Sequence, residues 1–199
     1  RPSTPRPTST FRTWPRFLSA LAHTHVQKER YPGSQPMTLE QYVKVLWDRG
    51  LFSWLTSAFG FGEEQRLEFV EMSRADARKR PPPPFFPGFI DMIARFKQQG
   101  GVVAVVSFGD KNAIAENYRT AGAPLPDHIF GWTKETAHQC KPYPYPVHFL
   151  CEKYGFSPSE VLVVDDMRPG LDMGRAAGAV TVGAIYAVGH HVLRDCIAP

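Results

Sequence analysis

With 199 residues, 43% hydrophobic, 21% charged and 13% aromatic, the chain can bury one sizeable core and a small second lobe. Such a composition excludes a disordered or fibrous protein. No apolar run approaches the roughly 20 residues that cross a bilayer, so no transmembrane helix is expected. The net charge of +4 is uneven: residues 1–30 carry Arg1, Arg6, Arg12, Arg16, Lys28 and Arg30 against Glu29 alone. The remainder is close to neutral and lacks the basic stripe that a nucleic-acid surface needs, so no nucleic-acid partner is expected.

The sequence starts at Arg1 rather than methionine, which suggests a processed chain or a piece of a longer one. Residues 1–30, opening RPSTPRPTST, are rich in Pro, Ser and Thr without periodicity, and read as a disordered basic segment. Their Arg, Ser and Thr content faintly resembles an organellar transit peptide, against the plainer reading of a floppy terminus. Cys140, Cys151 and Cys196 are odd in number, widely spaced and free of any C-x-x-C. That pattern fits reduced thiols in an intracellular, cytoplasmic protein better than disulfides or a zinc site.

In chain order, residues 31–84 read as a helical lobe. Thr38 can cap LEQYVKVLWDRG, where Leu39, Tyr42, Val43, Leu46 and Trp47 fall at helical spacing. LFSWLTSAF follows, ending at Gly60. EEQRLEFVEMSRADARKR then opens with acids and closes with bases, as the helix dipole favours. Pro81–Pro84 stops it as a stiff linker and marks a domain boundary.

Residues 85–199 alternate helices with apolar runs. PGFIDMIARFKQQG is an amphipathic helix with Pro87 near its start and Gly100 just after it. GVVAVVSFGD reads as a fully buried parallel strand. A helix over 111–121, a strand near His128–Phe130, a helix over 146–154, the strand VLVVDD, a helix over 169–177 and the strand VTVGAIY complete the series. Repeated strand-helix units imply an α/β fold with a parallel, Rossmann-like sheet and helices on both faces.

Ligands of open parallel sheets sit beyond the carboxyl ends of the strands, and three sets of residues fall there. Ser107, followed by Phe108, Gly109 and a helix start, offers a hydroxyl and backbone amides for a phosphate, or is merely a strand-ending helix cap. Lys141 in CKPYPYPV sits in a proline-stiffened loop, either as a point charge for an anion or as a solvated surface lysine. Asp165 and Asp166 close VLVVDD. Adjacent carboxylates at a sheet mouth need a cation or basic group, and Mg2+ suits them because it takes oxygen ligands and shares its shell with phosphate. Pro169 and Gly178 bracket the helix that follows.

Taken in order, Ser, Lys-Pro-x-Pro and Asp-Asp with Gly170 and Gly178 resemble the second, third and fourth motifs of the haloacid dehalogenase-like (HAD) superfamily, in the branch with a helical cap near the N-terminus. The resemblance covers about residues 38–188 and implies an Mg2+-dependent phosphatase of a small phosphorylated metabolite, such as phosphoglycolate or a sugar phosphate. It implies that Ser107 and the Phe108 and Gly109 amides bind the phosphoryl group, that Lys141 offsets its charge, and that Asp165 and Asp166 hold Mg2+. Ser107 and Lys141 then belong to the catalytic set. A mutase, phosphonate hydrolase or dehalogenase branch stays open, the acidic pair weighing against the last.

One departure stands out. The family begins with a strand ending Asp-x-Asp, whose first carboxylate attacks phosphorus and whose second protonates the leaving group. Before residue 85 the chain has only Asp48 and Asp76, both in helix-like stretches. By resemblance, the absent strand lies mid-sheet between the strands ending at Ser107 and Asp165, and leaving its neighbours unpaired is costly. The expectation is therefore a piece of a longer enzyme, inactive as given. The alternative is a non-catalytic relative that binds phosphate and Mg2+ or a protein partner.

Overall fold

Two parallel strand pairs carry the α/β part of the protein. The computed structural model describes residues 39–77, 81–82, 84–185 and 190–197. The expectations for residues 1–30 and for Thr38 as a cap lie outside the described residues. The chain divides into two units, Arg1–Leu67 with Ile185–Pro199, and Glu68–Ala184.

In the first unit, α1 (Leu39–Arg49) buries Val43 and Trp47, four residues apart on one face. Gly50 at φ 72° breaks the helix before α2 (Leu51–Phe59). Gly60 then ends α2 in a left-handed turn, its N–H returning to the carbonyls of Leu55 and Thr56. Glycine meets that conformation without the Cβ penalty. α3 (Glu63–Ala77) starts here and continues into the second unit. A 3-10 turn (His190–Leu193) and the short α8 (Arg194–Ile197) return to α1. There Lys44 Nζ lies 3.6 Å from Cys196 Sγ, and Leu193 is fully buried.

The second unit holds α4 (Phe89–Gln98), β1 (Ala104–Ser107), α5 (Lys111–Thr120), β2 (His128–Gly131), α6 (Tyr145–Tyr154), β3 (Leu162–Asp165), α7 (Arg168–Ala177) and β4 (Val180–Gly183). β1 pairs in parallel with β2, Ser107 opposite Gly131, and β3 with β4, Asp165 opposite Gly183. Strand alternation sends neighbours to opposite layers. Val103 and Val105 pack with Ile93, Tyr118 and Ala123 of the α4–α5 side. Val106 instead joins Val147, Val163, Met173 and Ala177 of the α6–α7 side.

Among the described residues β1 and β3 each pair on one side only, which is the gap expected between the strands ending at Ser107 and Asp165. One expectation is corrected. The β1 run was read as fully buried, yet every β1 residue is half-buried, and in β3 Leu162 and Val164 are 60% and 53% exposed. Val180 and Val182, their partners across the β3–β4 ladder, are also exposed. An apolar run records what a strand is suited to bury. Here α7 covers one face of β3–β4, and the described residues leave the other bare.

Candidate active site

The carboxyl ends of β1 and β3 gather the residues singled out in the sequence. Ser107 is the last residue of β1. Its Oγ accepts the Gly109 N–H at 3.0 Å, which folds the strand end into a tight turn and orients the hydroxyl. Asp110, rather than Ser107, caps the next helix, accepting the Ala113 N–H at 2.9 Å. Ser107 therefore has no capping duty to explain it. Gly109 is held from the β2 side as well, its carbonyl accepting the Trp132 N–H at 3.3 Å.

Lys141 is buried, which removes the reading of a solvated loop lysine. Its Nζ lies 2.6 Å from Asp165 Oδ2, with both side chains only 10% exposed. The other oxygen, Oδ1, accepts the Met167 N–H at 2.8 Å. Burial pushes the Asp165 carboxyl above the usual range, Lys141 and the Met167 N–H pull against that, and neighbouring Asp166 adds to it. A buried pair of this kind gains little net stability, because desolvation offsets attraction. Its position therefore calls for a reason other than folding energy.

The loop before Lys141 is tied to β1. Cys140 is fully buried, and its thiol donates to the Ser107 carbonyl at 3.4 Å. Burial raises the thiol's pKa and keeps it protonated as a donor. Lys141 also lies 5.4 Å from the centroid of the half-exposed Phe108 ring. Ser107, Phe108, Lys141 and Asp165 thus form one connected set. Asp166 follows Asp165 in the turn leading into α7, half-buried.

Three supports went unread in the sequence: Cys140, the Met167 amide and Gly174. A Cβ on Gly174 would stand 2.6 Å from Thr181 Cγ2 and 3.1 Å from Val163 Cβ. A Cβ on Gly170 would collide with the Asp165 side chain. The two glycines, one turn apart, let α7 lie flat on β3–β4. The Gly-x-x-x-Gly spacing was the available signal for Gly174. The other two had none.

Among the described residues, no group of three or more His, Cys, Asp or Glu side chains is arranged to hold a metal. Mg2+ asks for less, commonly one or two carboxylates with water and phosphate completing its shell. A buried carboxylate, Asp165, with a second one adjacent, Asp166, matches that donor set. Ser107, Lys141 and the acidic pair thus gather at the strand ends of a parallel α/β protein.

The family assignment agrees with this class. The family model for haloacid dehalogenase-like hydrolases matches residues 12–178, and the chain belongs to that family. It is 29% identical over 109 residues to a phosphoglycolate phosphatase of Haemophilus influenzae, covering 54% of this chain and 47% of that protein. It is 28% identical over 116 residues to hexitol phosphatase A of Escherichia coli, covering 58% and 50%. The chain thus spans about half the length of these curated relatives. Its fold matches the crystal structure of a predicted phosphoglycolate phosphatase from Haemophilus somnus at TM-score 0.59 and 20% identity, over 87% of this chain and 80% of that one. None of the described helices is long and apolar enough to cross a membrane.

Proposed function

We propose that the complete protein is an Mg2+-dependent phosphomonoester hydrolase of a small phosphorylated metabolite, with phosphoglycolate and sugar phosphates as first candidates. The buried Lys141–Asp165 pair carries this reading: it places a cation and a carboxylate 2.6 Å apart at the strand ends, on a loop tied to Ser107. Ser107 Oγ and the Phe108 and Gly109 amides receive the phosphoryl group, the Gly109 amide turning from Ser107 Oγ to do so. Lys141 offsets charge shared between that group and Asp165. Asp165 and Asp166 hold Mg2+, which polarises the phosphoryl oxygen when bound. Residues 31–84 take the part of the helical cap that selects the substrate. The free cysteines suit a reducing, cytoplasmic setting.

The attacking carboxylate is not among the described residues. The reading assigns it to a strand pairing with the free edges of β1 and β3. A second reading, phosphate and Mg2+ binding without turnover, draws on the same observation, since those edges are open in the described chain. The discriminating experiment takes the protein from its natural source, determines its intact mass and N-terminal sequence, and assays phosphate release from p-nitrophenyl phosphate. Mg2+-dependent turnover lost in a Lys141→Ala variant supports the hydrolase. Phosphate binding without turnover, by a chain lacking any further N-terminal strand, supports the second reading.

A further inference from the structure

Directly after the strand-ending Ser107, a polar or small residue would leave the phosphate approach open to water. Here the Phe108 ring, 47% exposed to solvent, stands beside the buried ammonium of Lys141, 5.4 Å from ring centroid to Nζ. The backbone gives the ring little choice of direction. Ser107 is fixed in the β1 ladder opposite Gly131, and Gly109 is held by Ser107 Oγ and the Trp132 N–H. A Cβ on Gly131 would meet the backbone of Lys111 and Gly109 at 2.9 and 3.1 Å, so the β2 side of the turn has no spare room. The ring thus stands beside the Lys141 ammonium with about half of its surface exposed.

We infer that Phe108 is a specificity-determining residue whose exposed ring packs against the alcohol portion of the substrate, favouring phosphomonoesters with a flat or apolar leaving group over small, fully polar ones. This rests on the phosphate-binding reading above and, between its two first candidates, favours a sugar phosphate, whose ring has an apolar face, over phosphoglycolate. The ring directly follows the residue assigned to the phosphoryl group, so whatever is esterified to that phosphate must pass its exposed part. A polar leaving group there trades water for a ring and gains nothing. An apolar or aromatic one removes both surfaces from water and stacks. The contact with Lys141 adds to this, because an ammonium near the ring fixes it in place rather than letting it swing into solvent.

The test measures binding by titration calorimetry, using phenylphosphonate and methylphosphonate with Mg2+ on the chain as it stands. The wild type is expected to bind phenylphosphonate about two- to tenfold more tightly, the range of one aromatic contact. Phe108→Ala should abolish that preference, bringing the two affinities to within about twofold of each other. Phe108→Tyr, which keeps the ring, should retain it. A purely structural role would weaken both ligands together and leave their ratio unchanged, and that result overturns the inference. Equal binding of the two ligands by the wild type also overturns it, while leaving the phosphate site standing. Failure of the wild type to bind either ligand removes the phosphate-site reading and the inference with it.

Discussion

Replacing Gly170 with alanine puts one methyl group where the Asp165 side chain already lies. The new Cβ would stand within 3.0 Å of the Asp165 Oδ2, Cγ and Cβ atoms, a separation that real side chains essentially never show. Asp165 cannot retreat freely. Its backbone carbonyl accepts the Ala184 N–H at 2.9 Å, and its two oxygens are engaged by Lys141 and Met167. Either the carboxylate leaves those partners or α7 lifts from the sheet. Overpacking alone costs about 1–3 kcal/mol. Loss of a hydrogen bond to a charged group costs about 1.5–3 kcal/mol. The gain from alanine's helix propensity is at most about 1 kcal/mol. The net expectation is a destabilisation of about 1.5–5 kcal/mol, read from urea denaturation midpoints at constant slope. Gly174→Ala is the control. It crowds Thr181 and Val163 and should also destabilise, by about 1–3 kcal/mol, but without weakening phosphate binding. A Gly170→Ala protein as stable as the wild type would refute the placement of Asp165 beneath α7.

Other perturbations probe different parts of the account. Lys141→Ala leaves Asp165 buried without its ion pair and should cost about 3–5 kcal/mol by the same denaturation assay, whereas loss of an exposed pair would barely register. Burial, with Lys153 and Lys111 nearby and Asp127 opposing, holds the His128 imidazole below its ordinary value. The fold therefore prefers neutral His128. Its contribution is fully present above the ordinary histidine value of 6.5 and is lost as pH falls through the lower folded value. Melting temperature should decline between about pH 7 and 5, less steeply in His128→Gln; a rise on acidification contradicts this. Val164→Thr, on the exposed face of β3, should change stability by no more than about 0.5 kcal/mol. A loss of 2 kcal/mol or more, on the order of a core substitution, would mean that this face is covered in solution.

The order of elements was legible because helical and strand periodicities differ and glycines punctuate them. α5, α6 and α7 begin and end within a residue or so of their expected limits, and Gly178 closes α7 in the left-handed turn its position implied. The gap between β1 and β3 was legible from the lack of a strand ending Asp-x-Asp, but burial was less so, since apolar runs report suitability for burial and say nothing of the neighbours available. Val106 finds a core on the α6 side, while Leu162 and Val164 face solvent. At the site, Ser107, Lys141 and Asp165 were readable as motif residues at strand ends. Their mutual geometry was not. The ion pair, the Cys140 thiol on the Ser107 carbonyl and the ring over Lys141 arise from contacts between residues more than twenty positions apart. No local pattern encodes such contacts. The Gly170 contact was half visible, as a motif glycine whose steric reason is the Asp165 side chain lying against it in the fold.

The most direct test of the central claim is a calorimetric titration of inorganic phosphate with and without Mg2+, on the wild type and on Asp166→Ala. Two carboxylates holding a cation that shares its shell with phosphate predict binding strengthened by Mg2+ in the wild type, with that enhancement gone in the variant. Enhancement that survives Asp166→Ala would contradict the assignment of Mg2+ to the acidic pair at the end of β3.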